Sequence, residues 1–267
     1  MSCYGFIGCG NMGSALVTSV AKKIGGQNIL LSDANNDKAI ILANSCGAKV
    51  CNNKELAEKA DYIVIGVKPQ MCKDLFCEIN PFISKRKNIT IISMAAGVST
   101  NDLEDMSFNE APIIRIMPNT PASVGEGMIL YCCSDSVSNT TLNDFIDSFS
   151  LCGKLDQINE NLIDAASAVS GCGPAFIFMF IQSLADAGVK CGLSREKALL
   201  YAEQTVLGSA KLALLSNEHP EKLKDNVCSP AGSTIAGVSS LENGSFRGLV
   251  ENAVTASFNR TKELFTK

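Results

Sequence analysis

Mostly apolar runs at residues 3–7, 29–32, 49–51, 62–66, 89–93, 113–117 and 128–131 are separated by segments of helical spacing, among them 14–23, 37–45 and 54–59. Runs that stay apolar at successive positions, instead of alternating with polar ones, predict strands buried on both faces. Such strands alternating with helices make a βαβ rhythm, which predicts an α/β unit on a doubly wound, mostly parallel sheet. After Glu160 the rhythm stops. Every later segment has helical spacing: 161–169, 174–190, 195–215, 221–226, 233–242 and 246–264. The change puts a domain boundary near Ile158, dividing an α/β unit over 1–158 from an all-α unit over 159–267.

The helix predicted from Pro174 opens Ala175-Phe176-Ile177-Phe178-Met179-Phe180-Ile181, apolar on every side. One buried stripe does not satisfy such a helix. It needs neighbours all round, either a second copy of the chain in a homodimer or the interior of the helical unit itself. The longest apolar stretches, 175–181 and 89–98, fall far short of the roughly 20 residues that cross a bilayer, so no membrane span is expected.

At 267 residues, with 46% hydrophobic and 19% charged, the chain has the balance of a globular protein with a sizeable core. Its net charge of −4 supplies no broad basic face, which removes nucleic acid as the main partner. Twelve cysteines include no Cys-x-x-Cys pair, and the one histidine, His219, lies in Glu218-His219-Pro220, the setting of a helix start. That set of ligands predicts no metal site, and the cysteines read as free thiols among apolar neighbours. The single histidine also removes Ser-His-Asp and Cys-His catalysis unless His219 itself takes part. An apolar run begins by Cys3 and the first lysine is Lys22, so no cleaved leader is expected and the cytoplasm is the default location.

Gly5-Phe6-Ile7-Gly8-Cys9-Gly10-Asn11-Met12-Gly13 sets G-x-G-x-x-G between a predicted strand and a predicted helix. There Gly8 allows a tight turn, Gly10 lets the backbone approach a pyrophosphate and Gly13 permits close helix–strand packing, while free N–H groups at the helix start attract phosphate. This reads as a Rossmann dinucleotide site. The second strand leads to Asp33, where an acidic side chain accepts the adenosine ribose hydroxyls. A 2′-phosphate there would meet a like charge, costing at about 4 Å roughly 1 kcal/mol in water and about 4 kcal/mol at an effective dielectric near 20. Lys38 is the only cation nearby, so the tip leans toward NADH over NADPH.

Three further loops follow strand ends on the same rim: Gly66-Val67-Lys68-Pro69, Ser93-Met94-Ala95-Ala96-Gly97 and Met117-Pro118-Asn119-Thr120-Pro121. Val67, Lys68 and Pro69 suit a fixed loop under a cofactor, and equally an ordinary helix start with proline in its first turn. Ala95, Ala96 and Gly97 are small enough for a nicotinamide or ribose to approach. Asn119, stiffened between two prolines, carries an amide suited to orienting a ring or carboxamide. In the helical half, Ser229, Ser233 and Thr234 bring hydroxyls and free N–H groups to one helix N-terminus, which fits a small carboxylate and also plain N-capping.

Taken in order, residues 8–13, Val67-Lys68-Pro69, Ala95-Ala96-Gly97, Met117-Pro118-Asn119-Thr120-Pro121, Ser170-Gly171-Cys172-Gly173-Pro174-Ala175 and residues 224–234 resemble the blocks of the pyrroline-5-carboxylate reductase family over nearly the whole chain. The resemblance implies a Rossmann domain followed by a helical dimerisation domain, and reduction of a cyclic imino acid by NADH or NADPH to give proline. It implies homodimers, often joined into decamers. By position, Ser233 and Thr234 bind substrate, Glu160 lines its pocket, Asn226 approaches the cofactor and Asn53 lies near the adenosine end. Within that frame Thr234 is the catalytic candidate, bonding the ring nitrogen, while Ser229 and the N–H groups at Gly232, Ser233 and Thr234 anchor the carboxylate. Asp33 departs from the pattern, because many relatives carry serine or another small polar residue there.

A β-hydroxyacid dehydrogenase would share the glycine loop, but it expects a catalytic lysine on a central helix; Lys190 stands before Cys191-Gly192 at a helix end. A dinucleotide sensor without catalysis would have no use for the hydroxyls of Ser229, Ser233 and Thr234.

Overall fold

Every residue of Tyr4–Ile7 (β1), Ile29–Ser32 (β2), Tyr62–Ile65 (β4), Thr90–Ser93 (β5) and Ile113–Met117 (β6) is buried. With Lys49–Val50 (β3), Gly127–Cys133 (β7) and Gly153–Gln157 (β8) they form one sheet in the order β3-β2-β1-β4-β5-β6-β7-β8. Neighbours run parallel except at β6 and β7. Strand order reverses between β1 and β4, so a crevice opens beyond their C-terminal ends. The computed structural model that gives this architecture describes residues 2–108 and 111–265.

Strands apolar on both faces need two covers, and the helices supply them. On one face Asn11–Ile24 (α1), Asn36–Cys46 (α2) and Asn139–Phe149 (α6) bury Leu16, Val20, Leu42, Phe145 and Phe149 against Tyr4, Phe6 and Leu31. On the other, Asn53–Lys59 (α3), Cys72–Ile83 (α4) and Thr100–Met106 (α5) bring Leu56, Phe76, Ile79 and Leu103 onto Ile63, Ile65 and Ile91. Tyr4 and Tyr62 stack at 4.5 Å in the first core, and their hydroxyls donate to the α6 carbonyls of Asp144 and Thr141. The polar tips are thereby satisfied.

Strand β8 was absent from the expected set. It lies at the sheet edge with mostly exposed side chains, and Leu155 is its only apolar residue, so it lacks the continuous apolar run that marks a central strand.

Ile163–Ser170 (α7) stays with the sheet, its Ile163 packed on Met117, Leu130 and Cys132. The strand rhythm therefore ends near residue 158, while the packing changes after Cys172. One compact unit comprises Met1–Cys172 with Ser257–Lys267, and the other Gly173–Ala256. The second holds Gly173–Lys190 (α8), Arg195–Ser216 (α9), Pro220–Val227 (α10), Ser233–Asn243 (α11) and most of Phe246–Phe265 (α12). His219 caps α10 as expected, its Nδ1 accepting from the Glu221 N–H.

Among the described residues, the buried apolar side chains of this second unit are three alanines: Ala185, Ala198 and Ala202. Phe180 packs on Phe246, but Phe178 and Met179 are 62% and 71% exposed. The run Glu160–Lys190 has a mean hydropathy of 1.5 in its most apolar window, only 11% of it buried, and by length and composition is apolar enough to cross a membrane. Contiguous runs alone miss this, because alanines, glycines and cysteines raise the mean; the core helices of globular proteins pass the same test. The turn at Gly171 and Cys172 splits the run into α7 and α8.

An all-round apolar helix with so little core of its own is completed by association. Phe178→Asp is expected to convert the assembly to monomer in light scattering while helix content by circular dichroism is retained, because an unpaired carboxylate in an interface costs several kcal/mol.

Candidate active site

The ladder that pairs β1 with its neighbours runs on into the loops of the crevice. Gly8 N–H donates to the Ser32 carbonyl and Gly66 N–H to the Ile7 carbonyl, both at 2.8 Å. Gly8 adopts φ +107°, and a Cβ there would meet the Gly66 backbone; a Cβ at Gly13 would overlap the Gly8 carbonyl oxygen. Both glycines are required by the fold. Gly10 differs, since a Cβ there would meet nothing within 4 Å and its φ is an ordinary −70°. Nothing inside the protein requires glycine at position 10, and the exposed backbone there is open to approach. Gly10 is also the N-cap of α1 and offers no side-chain cap, and the first turn holds no acid, so the N–H groups there are open to an anion.

A cleft of about 430 Å³ lies over this turn, lined by Cys9, Gly10, Asn11 and Ser14, with Lys38 from α2 and Ser123 opposite. Ile7 and Cys9 are buried beneath it and Met12 is half-buried. Burial first, and then the Asp33 charge, pushes the Cys9 thiol up to about 12, which leaves it protonated and unreactive. Asp33 accepts from the N–H groups of Cys9 at 2.6 Å and Asn35 at 2.7 Å. Its carboxylate is thus fixed at the tip of β2. Asn53 stands beside it, taking a hydrogen bond from Ser32 Oγ at 2.7 Å and donating to Glu78 at 2.8 Å. The structure therefore brings Asn53 to the C-terminal end of β2, against Ser32. Ser14, Thr18 and Ser123 line the cleft without having been singled out, since lone hydroxyls in a helix carry no signal in sequence.

On the other side of the reversal, Val67 and exposed Lys68 follow β4, and Pro69 opens a short 3₁₀ turn, the ordinary helix start among the two readings. After β5, Ala95 is buried, Ala96 is exposed and Gly97 takes φ +67°. Asn119 is placed at the rim, but its amide is already engaged: Oδ1 accepts from Met128 N–H and Nδ2 donates to the Ser170 carbonyl, each at 2.9 Å. The side chain therefore ties β6 to β7 and to the end of α7.

Glu160 likewise turns into the fold. Its carboxylate accepts from Thr100 N–H at 2.8 Å, from Thr100 Oγ1 at 2.6 Å and from Arg115 Nη1 at 2.9 Å. Burial works against its charge, but the bonds from Thr100 and Arg115 outweigh it and hold the carboxyl below the ordinary glutamate range. Both oxygens are thus engaged by the scaffold, while about a third of the side chain stays exposed. Arg115 was missed, although a charge inside Ile113-Ile114-Arg115-Ile116-Met117 is a visible signal.

In the helical unit, Asn226, Ser229, Ser233 and Thr234 are exposed. Gly232 is the N-cap of α11, with no side-chain cap on the first turn, and a Cβ on it would overlap Ser229 Oγ. The hydroxyl of Ser229 is thus drawn close to an uncapped helix start. Ala231 before it adopts φ +56°, a left-handed conformation that costs a non-glycine residue about 1–2 kcal/mol. Ser229, Ser233 and Thr234 gather at this helix start, with Asn226 on α10 before it; the glycine loop belongs to the other unit.

A parallel sheet with this glycine turn at its switch point, followed by a helical unit with an anion-ready turn, defines a nicotinamide-dinucleotide oxidoreductase. Residues 160–264 match the family described as pyrroline-5-carboxylate reductase dimerisation, and residues 3–97 that described as NADP oxidoreductase, coenzyme F420-dependent. The chain is 37% identical over 262 residues to the pyrroline-5-carboxylate reductase of Pisum sativum, covering 97% of this chain and 95% of that one. It is 38% identical over 264 residues to the Escherichia coli enzyme of the same name, covering 97% of each. The crystal structure of Plasmodium falciparum pyrroline carboxylate reductase with NADP bound matches with a TM-score of 0.87 at 38% identity, over 98% of this chain and 97% of that one. The chain belongs to the pyrroline-5-carboxylate reductase family. Its helical region is the family's dimerisation region, which accounts for the apolar surface of α8.

The three glycines of the loop separate fold from binding. Gly10→Ala is expected to leave thermal stability within about 1 kcal/mol of wild type while weakening dinucleotide binding tenfold or more by calorimetry. Gly13→Ala is expected to lower stability by roughly 1–3 kcal/mol, because its new methyl group overlaps backbone.

Proposed function

We propose that the protein transfers a hydride from a reduced nicotinamide dinucleotide to the C=N carbon of 1-pyrroline-5-carboxylate, giving L-proline. The observation that carries the reading is the pairing, in one chain, of an open phosphate-binding turn at residues 8–13 with an uncapped, hydroxyl-bearing turn at residues 229–234. A protonated cyclic imine is already electrophilic, so hydride can add to carbon as the π electrons move to nitrogen, without a strong acid. The absence of any histidine other than His219 fits that chemistry. The protein's task is orientation, holding donor and acceptor carbons roughly 3 to 3.5 Å apart.

In this reading Ser229 and the N–H groups at Gly232, Ser233 and Thr234 anchor the carboxylate. Thr234 bonds the ring nitrogen, and Asn226 approaches the cofactor. Ile7 to Gly13, Asp33 and Asn53 carry the adenosine and pyrophosphate half. Val67, Lys68, Pro69, Ala95, Ala96, Gly97 and the backbone at Asn119 carry the nicotinamide half, since the two halves of a dinucleotide lie on either side of the strand reversal. The functional unit is a homodimer able to join into decamers. The cytoplasm is its compartment, where twelve unbridged cysteines stay reduced.

Oxidation of NADH or NADPH is expected only when pyrroline-5-carboxylate is supplied. Equal or better turnover of 3-hydroxy acids with oxidised cofactor would favour the β-hydroxyacid dehydrogenase reading instead.

The fixed Asp33 carboxylate supports NADH as the equal or better donor, against the exposed Lys38. Asp33→Ser is expected to shift kcat/KM toward NADPH by about tenfold or more, at about 1.4 kcal/mol per factor of ten. An unchanged ratio would mean that the carboxylate does not meet the ribose.

Thr234→Ala is expected to lower kcat more than it raises KM for the imino acid, and Ser229→Ala mainly to raise KM. A bond to the ring nitrogen changes as iminium becomes amine, whereas a carboxylate anchor holds ground and transition states alike. Losses of about ten- to a hundredfold follow from one hydrogen bond to a charged group. Wild-type kcat in Thr234→Ala, with hydride transfer rate-limiting by isotope effect, would remove Thr234 from the mechanism.

A further inference from the structure

Arg115 on β6 is almost wholly enclosed, with 4% of its side chain exposed, between Ile113 and Met117 on the same strand face. One guanidinium nitrogen bonds Glu160 and the other Asp164 at 3.3 Å, while Nε is buried without a partner. A buried ion pair with an orphaned N–H is not required for stability, since apolar side chains fill such space as well or better. What the arrangement does provide is position. Glu160, charged and held by Arg115, fastens both the N–H and the hydroxyl of Thr100. Thr100 is the first residue of α5, and the segment it closes is the loop leaving β5, with Ala95 and Val98 buried and Ala96 and Gly97 at the rim. The same guanidinium reaches α7 through Asp164, and Asn119 on the same strand's exit loop holds the far end of α7 through Ser170.

We propose that Arg115 and Glu160 are positioning residues for the nicotinamide half of the dinucleotide, fixing the first turn of α5 and with it the loop at residues 95–97. Neither touches the cofactor; they act through Thr100. The proposal rests on the reading that this loop carries the nicotinamide half, whereas the adenosine half sits on residues 8–13 and Asp33. The network lies wholly on the β5–β6 side of the strand reversal, so its loss acts on one half of the ligand.

The test is binding of NADH and of ADP-ribose, which lacks the nicotinamide ring, to the full-length protein by calorimetry. Glu160→Ala is expected to weaken NADH about tenfold, as for the loss of one or two charge-assisted bonds, and to leave ADP-ribose unchanged. Glu160→Gln, whose amide oxygen still accepts from Thr100 N–H, is expected to recover NADH binding to within about threefold of wild type. A general loss of structure would weaken both ligands alike, and that result, or unchanged NADH binding in Glu160→Ala, would overturn the proposal. Should Glu160→Ala fail to fold, Thr100→Val removes a single hydroxyl and is expected to weaken NADH about threefold and ADP-ribose not at all. Wild-type NADH binding in Thr100→Val would overturn it equally. A wild-type protein that oxidises no reduced nicotinamide with the imino acid would count against the functional reading itself, whatever the variants show.

Discussion

The helical unit has three buried alanines for a core and carries Phe178 and Met179 on its surface, and that shortage governs how the rest of the molecule is built. A unit of this size without an adequate core relies on association to bury apolar area. Each large side chain covered returns about 1.5–3 kcal/mol, so α8 and its neighbours supply a substantial driving force once covered. The opening of α8, residues 175–181, apolar on every side, is inexplicable as a surface helix and natural as an interface. The family's dimerisation region, residues 160–264, falls on these helices.

The α/β unit works on the opposite principle. Its strands are buried on both faces, and close backbone contacts at Gly8, Gly13 and Gly66 lock the glycine turn to the sheet. A rigid turn of this kind binds phosphate without reordering on contact, which preserves affinity otherwise lost to entropy. Two side chains on one strand segment then hold α7: Arg115 at its start, through Glu160 and Asp164, and Asn119 at its end, through the Ser170 carbonyl. Within the α/β unit, α7 is thereby held at both ends.

Much of this was legible from residue types. The all-apolar strands, the glycine turn, the tip position of Asp33 and the run of helices after residue 160 each follow from a local rule, and each was recovered. Edge strand β8 was not, because a strand with one apolar residue has no periodic signature. Asn119 stands in a block that resembles a binding loop and Glu160 is placed in the site by position, yet their polar atoms are engaged by Thr100, Arg115, Met128 and Ser170, which no local pattern links to them. Only a folded chain reveals which polar groups are already satisfied. Conversely, the structure sets Gly10 apart from Gly8 and Gly13: no contact inside the protein requires a glycine there.

The chemistry that joins these parts is a hydride transfer to an imine carbon, with the protein supplying orientation and no strong acid. It is tested most directly by following the label from a cofactor deuterated at the transferable position of its nicotinamide ring. With pyrroline-5-carboxylate as acceptor, the account predicts one deuterium in the proline formed, on the ring carbon that began as C=N, and none at that carbon when protiated cofactor is used in deuterated water. Label found in solvent, or deuterium acquired from water at that same carbon, would contradict it.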